Sequence, residues 1–193
     1  MPKLGHAADT ETLKRTIYVP SRKNQLATAQ INTVIAMLED KSPALRFVVG
    51  QQDTVGDQDM PTTLPEGLLA TITKRETPED AAVIHPKHKT KGLTTLKQLP
   101  EGSVIGTGSL RREALLRKQF PTFEIKTLRG NIQTRQAKLD EHDDYDAIIV
   151  AACCFRLSEL GDRIDEILPM DTFGYGVGQG SIGVESRADD GER

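Results

Sequence analysis

The sequence has no tryptophan, and aromatic residues fill only 4% of its 193 positions. So few rings cannot build a base-stacking surface, and a net charge of -3 withholds the electrostatic attraction that nucleic acid requires. No apolar run reaches bilayer-spanning length, so no membrane partner is expected. The opening stretch MPKLGHAADTETLKR lacks both an apolar segment and a cleavage-like motif. It reads as a loose tail over residues 1–12, not a secretory leader. The two cysteines, Cys153 and Cys154, are adjacent, and neighbours do not easily close an unstrained disulfide; a reducing cytoplasm fits. His6, His85, His88 and His142 are scattered without ligand spacing, so no metal site is expected. His85 and His88 read as residues of a basic polar loop over 85–92.

What is present is an alternation of short apolar runs with helical periodicity. With 37% hydrophobic and 27% charged residues, the chain can form one domain or two small ones. Strands are expected at 16–19, 45–49, 68–73, 81–84, 104–105, 123–128 and 147–152, the last apolar throughout as in a buried parallel strand. A helix after Asn24 would turn Leu26, Ala27, Ile31, Val34, Ile35 and Leu38 inward. Another after Ser109 would use Leu110, Ala114 and Leu115, and one over 132–139 would be capped by Asn131. Strands alternating with ordinary helices give an α/β fold with a parallel or mixed sheet.

The distinctive stretch is VIGTGSLRREALLRKQFPTFEIKTLRGNIQTR, residues 104–135. It holds seven basic residues against two acids, although the whole chain is net acidic. Arg111 and Arg112 occupy a first helical turn, where positive charge opposes the helix dipole. An anion belongs beside them, met by backbone N–H groups, the hydroxyls of Thr107 and Ser109, and two guanidinium forks. Arg129 repeats the arrangement at the next strand-to-helix turn, with Arg135 one turn further on. Open α/β sheets bind ligands at such turns. The glycine-rich YGVGQG near the end is weak evidence for phosphate, because it lacks the P-loop lysine and the Rossmann spacing.

The segments GTGSLRR, TLRGNIQTRQAKLD, YDAIIVAA and YGVGQGSIGVE, in that order and spacing, resemble the porphobilinogen deaminases, or hydroxymethylbilane synthases, of tetrapyrrole biosynthesis. The resemblance runs from about residue 17 to 190. It implies a periplasmic-binding-protein-like α/β fold: an intact second domain over 61–172 and an incomplete first domain from 13–60 with 173–193. It also implies stepwise condensation of porphobilinogen with loss of ammonia, on a dipyrromethane cofactor, by a cytoplasmic monomer.

Carried over residue by residue, Arg22, Asn24, Thr107, Ser109, Arg111, Arg112, Arg129, Arg135, Arg163 and Gln179 would bind substrate or cofactor. Asp59 would be the catalytic carboxylate. Three departures stand out. Pro20 and Asn24 replace a glycine and a serine, and Gly108 stands where relatives commonly have serine. Gln58 takes the place of a lysine, at a junction where a helix-and-strand block of the relatives is missing. The cysteine that anchors the cofactor belongs to a further domain, and neither Cys153 nor Cys154 lies in its motif, so covalent attachment is not expected. Phe155, in place of a small residue, is expected to crowd the cleft. A non-catalytic fragment or splice form, or a polycarboxylate-binding α/β module, are the alternative readings.

Overall fold

A strand covered on both faces has no solvent side to mark with polar residues, so it reads as an unbroken apolar run. AAVI, following Asp80, and AIIVA are such runs, and they lie in neighbouring strands of a five-stranded sheet. The structure is a computed structural model describing residues 15–52 and 63–189. Residues 1–12 and Asp59 lie outside the described residues. The chain divides into two units: Met1–Lys23 with Ala27–Gly56, and Asn24–Leu26 with Asp57–Arg193.

In the first unit, β1 (Arg15–Arg22) and β2 (Leu45–Gln52) pair in parallel from Arg15↔Leu45 to Arg22↔Gln52. Parallel neighbours need a crossover, which α1 (Gln25–Lys41) supplies. Of its expected inner residues Ala27 is buried, Leu26, Ile31, Val34 and Ile35 are half-buried, and Leu38 is exposed.

The second unit contains β3 (Leu68–Ile72), β4 (Asp80–Ile84), α2 (Pro86–Lys89), β5 (Val104–Thr107), α3 (Leu110–Gln119) and β6 (Glu124–Thr127). It continues through α4 (Ile132–Glu141), β7 (Ala147–Ala151), α5 (Ala152–Leu157), β8 (Glu166–Leu168), α6 (Met170–Phe173) and β9 (Gly183–Arg187). The large sheet has the order β6-β5-β7-β4-β8. β5 is parallel to β6 and β7, whereas β4 is antiparallel to β7 and β8, so the sheet is mixed. β9, grouped with the first domain on the resemblance, pairs antiparallel with β3 in a separate two-stranded sheet.

Side chains alternate faces along a strand, so β4 and β7 feed two cores. Ala82, Ile84, Ala147 and Ile149 join Leu116 of α3 and Phe123, whose ring stacks on Phe120. Ala81, Val83, Ile148 and Val150 join Ile132 and Leu139 of α4 and Phe155 of α5. Two sequence expectations change here. Leu110 is 84% exposed, and α3 instead turns Arg112 and Leu116 inward. Phe155 is fully buried in the second core, so its bulk fills the fold and not a cleft.

Residues 85–92 are likewise more than a polar loop. His85 caps α2 by accepting from the Lys87 N–H through Nδ1 at 2.9 Å. His88 is buried, with Nε2 2.6 Å from Oδ1 of Asp146. Oδ2 of Asp146 accepts from the Val104 N–H at 2.7 Å, tying the start of β5 to α2. Burial pushes the Asp146 carboxyl upward, but hydrogen bonds from His88, Val104 and Lys87 outweigh it and leave it below the usual carboxylate range. Asp140 is also lowered, chiefly by hydrogen bonds from Arg163. Burial, followed by the Lys87 charge, lowers His85 from 6.5.

All three shifts act in the same direction as pH falls. The unfolded chain takes up a proton at His85 before the native state does, and later at both carboxylates, so the native state loses stability. The thermal midpoint is therefore expected to drop from below about pH 6.5, where a free imidazole protonates, and more steeply below about pH 4. Asp146→Asn should lower stability at neutral pH and flatten the acid limb. A midpoint constant from pH 7 to 4 would contradict this account.

Candidate functional site

The parallel strands β5 and β6 end side by side, with Thr107 opposite Thr127, and each runs into a helix. Thr107 is buried, and its Oγ1 accepts from the Ser109 N–H at 3.2 Å. Ser109 caps α3 by accepting from the Arg112 N–H. At the second turn, the Asn131 side chain accepts from the Thr134 N–H at 2.8 Å and starts α4. The two turns touch: the Leu128 N–H donates to the Thr107 carbonyl at 3.1 Å. A Cβ on Gly108 would stand 2.7 Å from the Leu128 carbonyl oxygen, so glycine permits this approach.

The anion beside the paired arginines is a side chain of the protein itself. β4 runs antiparallel to β7, so its first residue, Asp80, arrives opposite Ala151, at the end of the sheet where β5 and β7 finish. Asp80 has no exposed surface. Its Oδ1 accepts from Nε and Nη2 of Arg112 at 3.0 and 2.7 Å, and its Oδ2 from Nη2 of Arg111 at 2.6 Å. Arg112 is itself buried and spends Nη1 on the Ile149 carbonyl at 3.4 Å. A carboxylate out of water is tolerated only with such partners; removing one side of a buried pair typically costs about 3 to 5 kcal/mol.

Gln179 completes this group. Its Nε2 donates to Asp80 Oδ1 at 2.9 Å and to the backbone carbonyl of Pro78, while its Oε1 accepts from Arg111 at 3.4 Å. The glycine-rich segment is thus a strap across the start of β4. Arg75 fastens it, donating to the carbonyls of Gln179 at 2.8 Å and Gly176 at 3.2 Å, with its guanidinium 4.8 Å from the Tyr175 ring centre. Gly180, at φ +86°, lies so close to residues 76–77 that a Cβ would stand 2.6 Å from the Glu76 carbonyl oxygen.

The remaining candidates are spread out. Arg129 is exposed and, among the described residues, its guanidinium has no hydrogen-bond or ion-pair partner. Arg135 donates Nε to the Gly130 carbonyl at 2.7 Å, which turns it back over the second turn. Arg163 is engaged elsewhere, in a two-pronged pair with Asp140 at 2.6 and 2.7 Å. Arg22 ends β1 in the first unit, and Asn24 precedes α1. Asp80 and Arg75 were not among the sequence candidates. The available signal was an acid heading a wholly apolar strand, a residue whose burial demands cations.

Cys153 and Cys154 open α5, just beyond β7. The Cys154 thiol donates to Cys153 and lowers it to about 7, with the Arg112 charge assisting against burial. The same contact pushes Cys154 up.

A family model described as the dipyrromethane cofactor binding domain of porphobilinogen deaminase matches residues 58–193. The chain belongs to the porphobilinogen deaminase family. It is 41% identical to the porphobilinogen deaminase of a Nostoc species, over 93% of this chain and 66% of the relative. It is 35% identical to that of Neurospora crassa, over 92% and 64%. The chain therefore spans just under two thirds of the length of these relatives.

The Nostoc alignment has 216 positions, whereas 93% of 193 residues is about 180, so about 36 positions of the relative have no counterpart here. The family-model match begins at residue 58. Solved structures show the fold. A probable amino-acid ABC transporter extracellular-binding protein of Bacillus subtilis superimposes with TM-score 0.52 at 11% identity, over 92% of this chain and 86% of that one. The regulatory domain of OxyR2 from Vibrio vulnificus gives 0.51 at 10%, over 92% and 89%. The chain thus has a periplasmic-binding-protein-like α/β fold.

The strap makes a prediction separable from ligand binding. Gly180→Ala should destabilise the protein by about 1 to 3 kcal/mol, from left-handed backbone and the clash with Glu76. Gly178→Ala, also at positive φ but with open space around it, should cost about 1 kcal/mol. Urea denaturation compares them, and equal midpoints would mean the strap is not held closely.

Proposed function

We propose that this chain binds porphobilinogen and short linked pyrroles by their carboxylates at the β5–α3 and β6–α4 turns, and that it condenses them poorly or not at all. The observation that carries this reading is that two arginine-bearing turns open at the same end of neighbouring parallel strands, one of them presenting Arg129, whose guanidinium has no partner among the described residues. Porphobilinogen carries two carboxylates, and each added pyrrole brings two more, so a row of guanidinium forks suits the growing polyanion. Arg111, Arg129 and Arg135 supply the forks, and Thr107 and Ser109 order the turn. Gln179 and Arg112 support Arg111 from behind. Arg22, Asn24 and Arg163 are ligands on the family resemblance.

The dipyrromethane cofactor, when bound, supplies the primer to which pyrroles are added. The donor set fits its carboxylates, since Arg129 is exposed and Arg111 is partly so. Within these 193 residues a covalent anchor does not fit, because Cys153 is buried and Cys154 is hydrogen-bonded to it. These residues by themselves would hold the primer reversibly. Asp59 is the proposed catalytic group, stabilising positive charge on the pyrrole as ammonia leaves and moving a proton. It follows Gln58, where the family resemblance implies a missing block, and the Nostoc alignment leaves about 36 positions of that relative without a counterpart here. Displacing a catalytic group by roughly 1 Å can cost about a hundredfold in rate. That gap also favours the second reading, a polycarboxylate-binding module without turnover. In either case the chain acts as a cytoplasmic monomer on a small molecule, without nucleic-acid or membrane partners.

Titration with a dipyrrole should show Arg129→Ala and Arg135→Ala each weakening binding by about tenfold or more, as expected for charged hydrogen bonds of roughly 1.5 to 3 kcal/mol. Equal affinity in all three proteins would make these arginines plain surface charges. After incubation with porphobilinogen and denaturation, mass spectrometry should find no added pyrroles. Steady formation of hydroxymethylbilane that disappears on Asp59→Ala would show an active deaminase and overturn the expected loss of turnover.

A further inference from the structure

Arg111 and Arg112 are adjacent and share one carboxylate, yet their surroundings differ. Arg112 gives two donors to Oδ1 of Asp80 and a third to the Ile149 carbonyl, and only 10% of its side chain is exposed. Arg111 gives Oδ2 a single donor, Nη2, and 29% of its side chain is exposed. Its other contacts are long, 3.5 Å to the Phe173 carbonyl and 3.4 Å to Gln179. An entering carboxylate therefore reaches Arg111 at the loss of one short bond, whereas it reaches Arg112 only by opening the core.

We propose that Asp80 is an internal stand-in for a ligand carboxylate: it holds Arg112 permanently, as a positioning residue, and holds Arg111 until an external carboxylate takes its place. This inference rests on the proposed anion-binding reading of the site. Gln179 belongs to the exchange, because its amide bridges Asp80 Oδ1 and Arg111 and keeps a donor on the carboxylate when Arg111 turns outward. Asp80 is thus a competitor of the ligand as well as a support. Neutralising it removes both the competing acceptor and the like charge facing an incoming anion, so binding should tighten even as the fold weakens. A merely structural acid would do the reverse.

The test follows the Nε–H signals of the two arginines by heteronuclear NMR in the intact chain, during titration with porphobilinogen and, separately, with benzene-1,3,5-tricarboxylate. Both ligands should shift Arg111 and leave Arg112 in place. Asp80→Asn should shift both signals before any ligand is added, lower the thermal midpoint, and bind roughly tenfold tighter. A ligand that moves Arg112 as far as Arg111, or a folded Asp80→Asn protein that binds equally or more weakly, overturns the inference. If Asp80→Asn does not fold, the wild-type signals decide it. Movement of Arg111 alone by the tricarboxylate, with porphobilinogen silent, would uphold the exchange and reject the deaminase ligand.

Discussion

The second unit depends on the carboxylate of Asp80. A carboxylate with no exposed surface must be compensated at each oxygen, and here three side chains from two distant parts of the sequence do so. The requirement fixes more than the ion pair. It draws the first turn of α3 onto the start of β4, and it draws Gln179 down so that its amide also reaches the carbonyl of Pro78. Once Gln179 is placed, the glycines around it have little freedom: the backbone must pass Glu76 at a distance that excludes a side chain on Gly180. Arg75 then closes the strap from the other side.

Topology explains why an acid arrives among the arginines. In an all-parallel sheet, every strand would bring its C-terminal end to the ligand edge and its N-terminal residue to the opposite edge. β4 is antiparallel to its neighbours, so its N-terminal residue comes to the edge where β5, β6 and β7 end. One reversed strand thereby adds a fixed negative charge to an edge otherwise supplied with guanidinium groups and helix N-termini. The edge can then hold its arginines in order before any ligand is present, which would reduce the ordering cost of the proposed binding.

Much of this was legible in the residues. The apolar run at 147–151 and the Asn131 cap announce a buried strand and a helix start, because both signals are local. The arginine-bearing turns were legible for the same reason. What needed the structure was pairing between distant segments. Nothing local in the sequence announces that Asp80 stands behind Arg112, or that Asp140 pairs with Arg163. Residues 85–92 read as a polar loop because histidine and lysine are polar, yet Asp146 gives His88 a partner that makes its burial tolerable. Leu110 and Phe155 show the converse: apolar character alone does not say which face a residue takes, and the first is exposed while the second is buried.

Binding and turnover place different demands on a chain that lacks about 36 positions of its relatives. The groups proposed to bind anions sit largely on local strand–turn–helix elements within one sheet, and hydrogen bonds among residues 77–80, 107–112, 128–135 and 173–180 order them. A general acid is held to a stricter standard, because it must meet a reacting atom within a fraction of an ångström, whereas an arginine side chain can reach a carboxylate from many rotamers. A missing segment therefore bears first on the proposed catalysis. The proposed recognition of carboxylates depends instead on how completely it is encoded in the sheet that Asp80 organises.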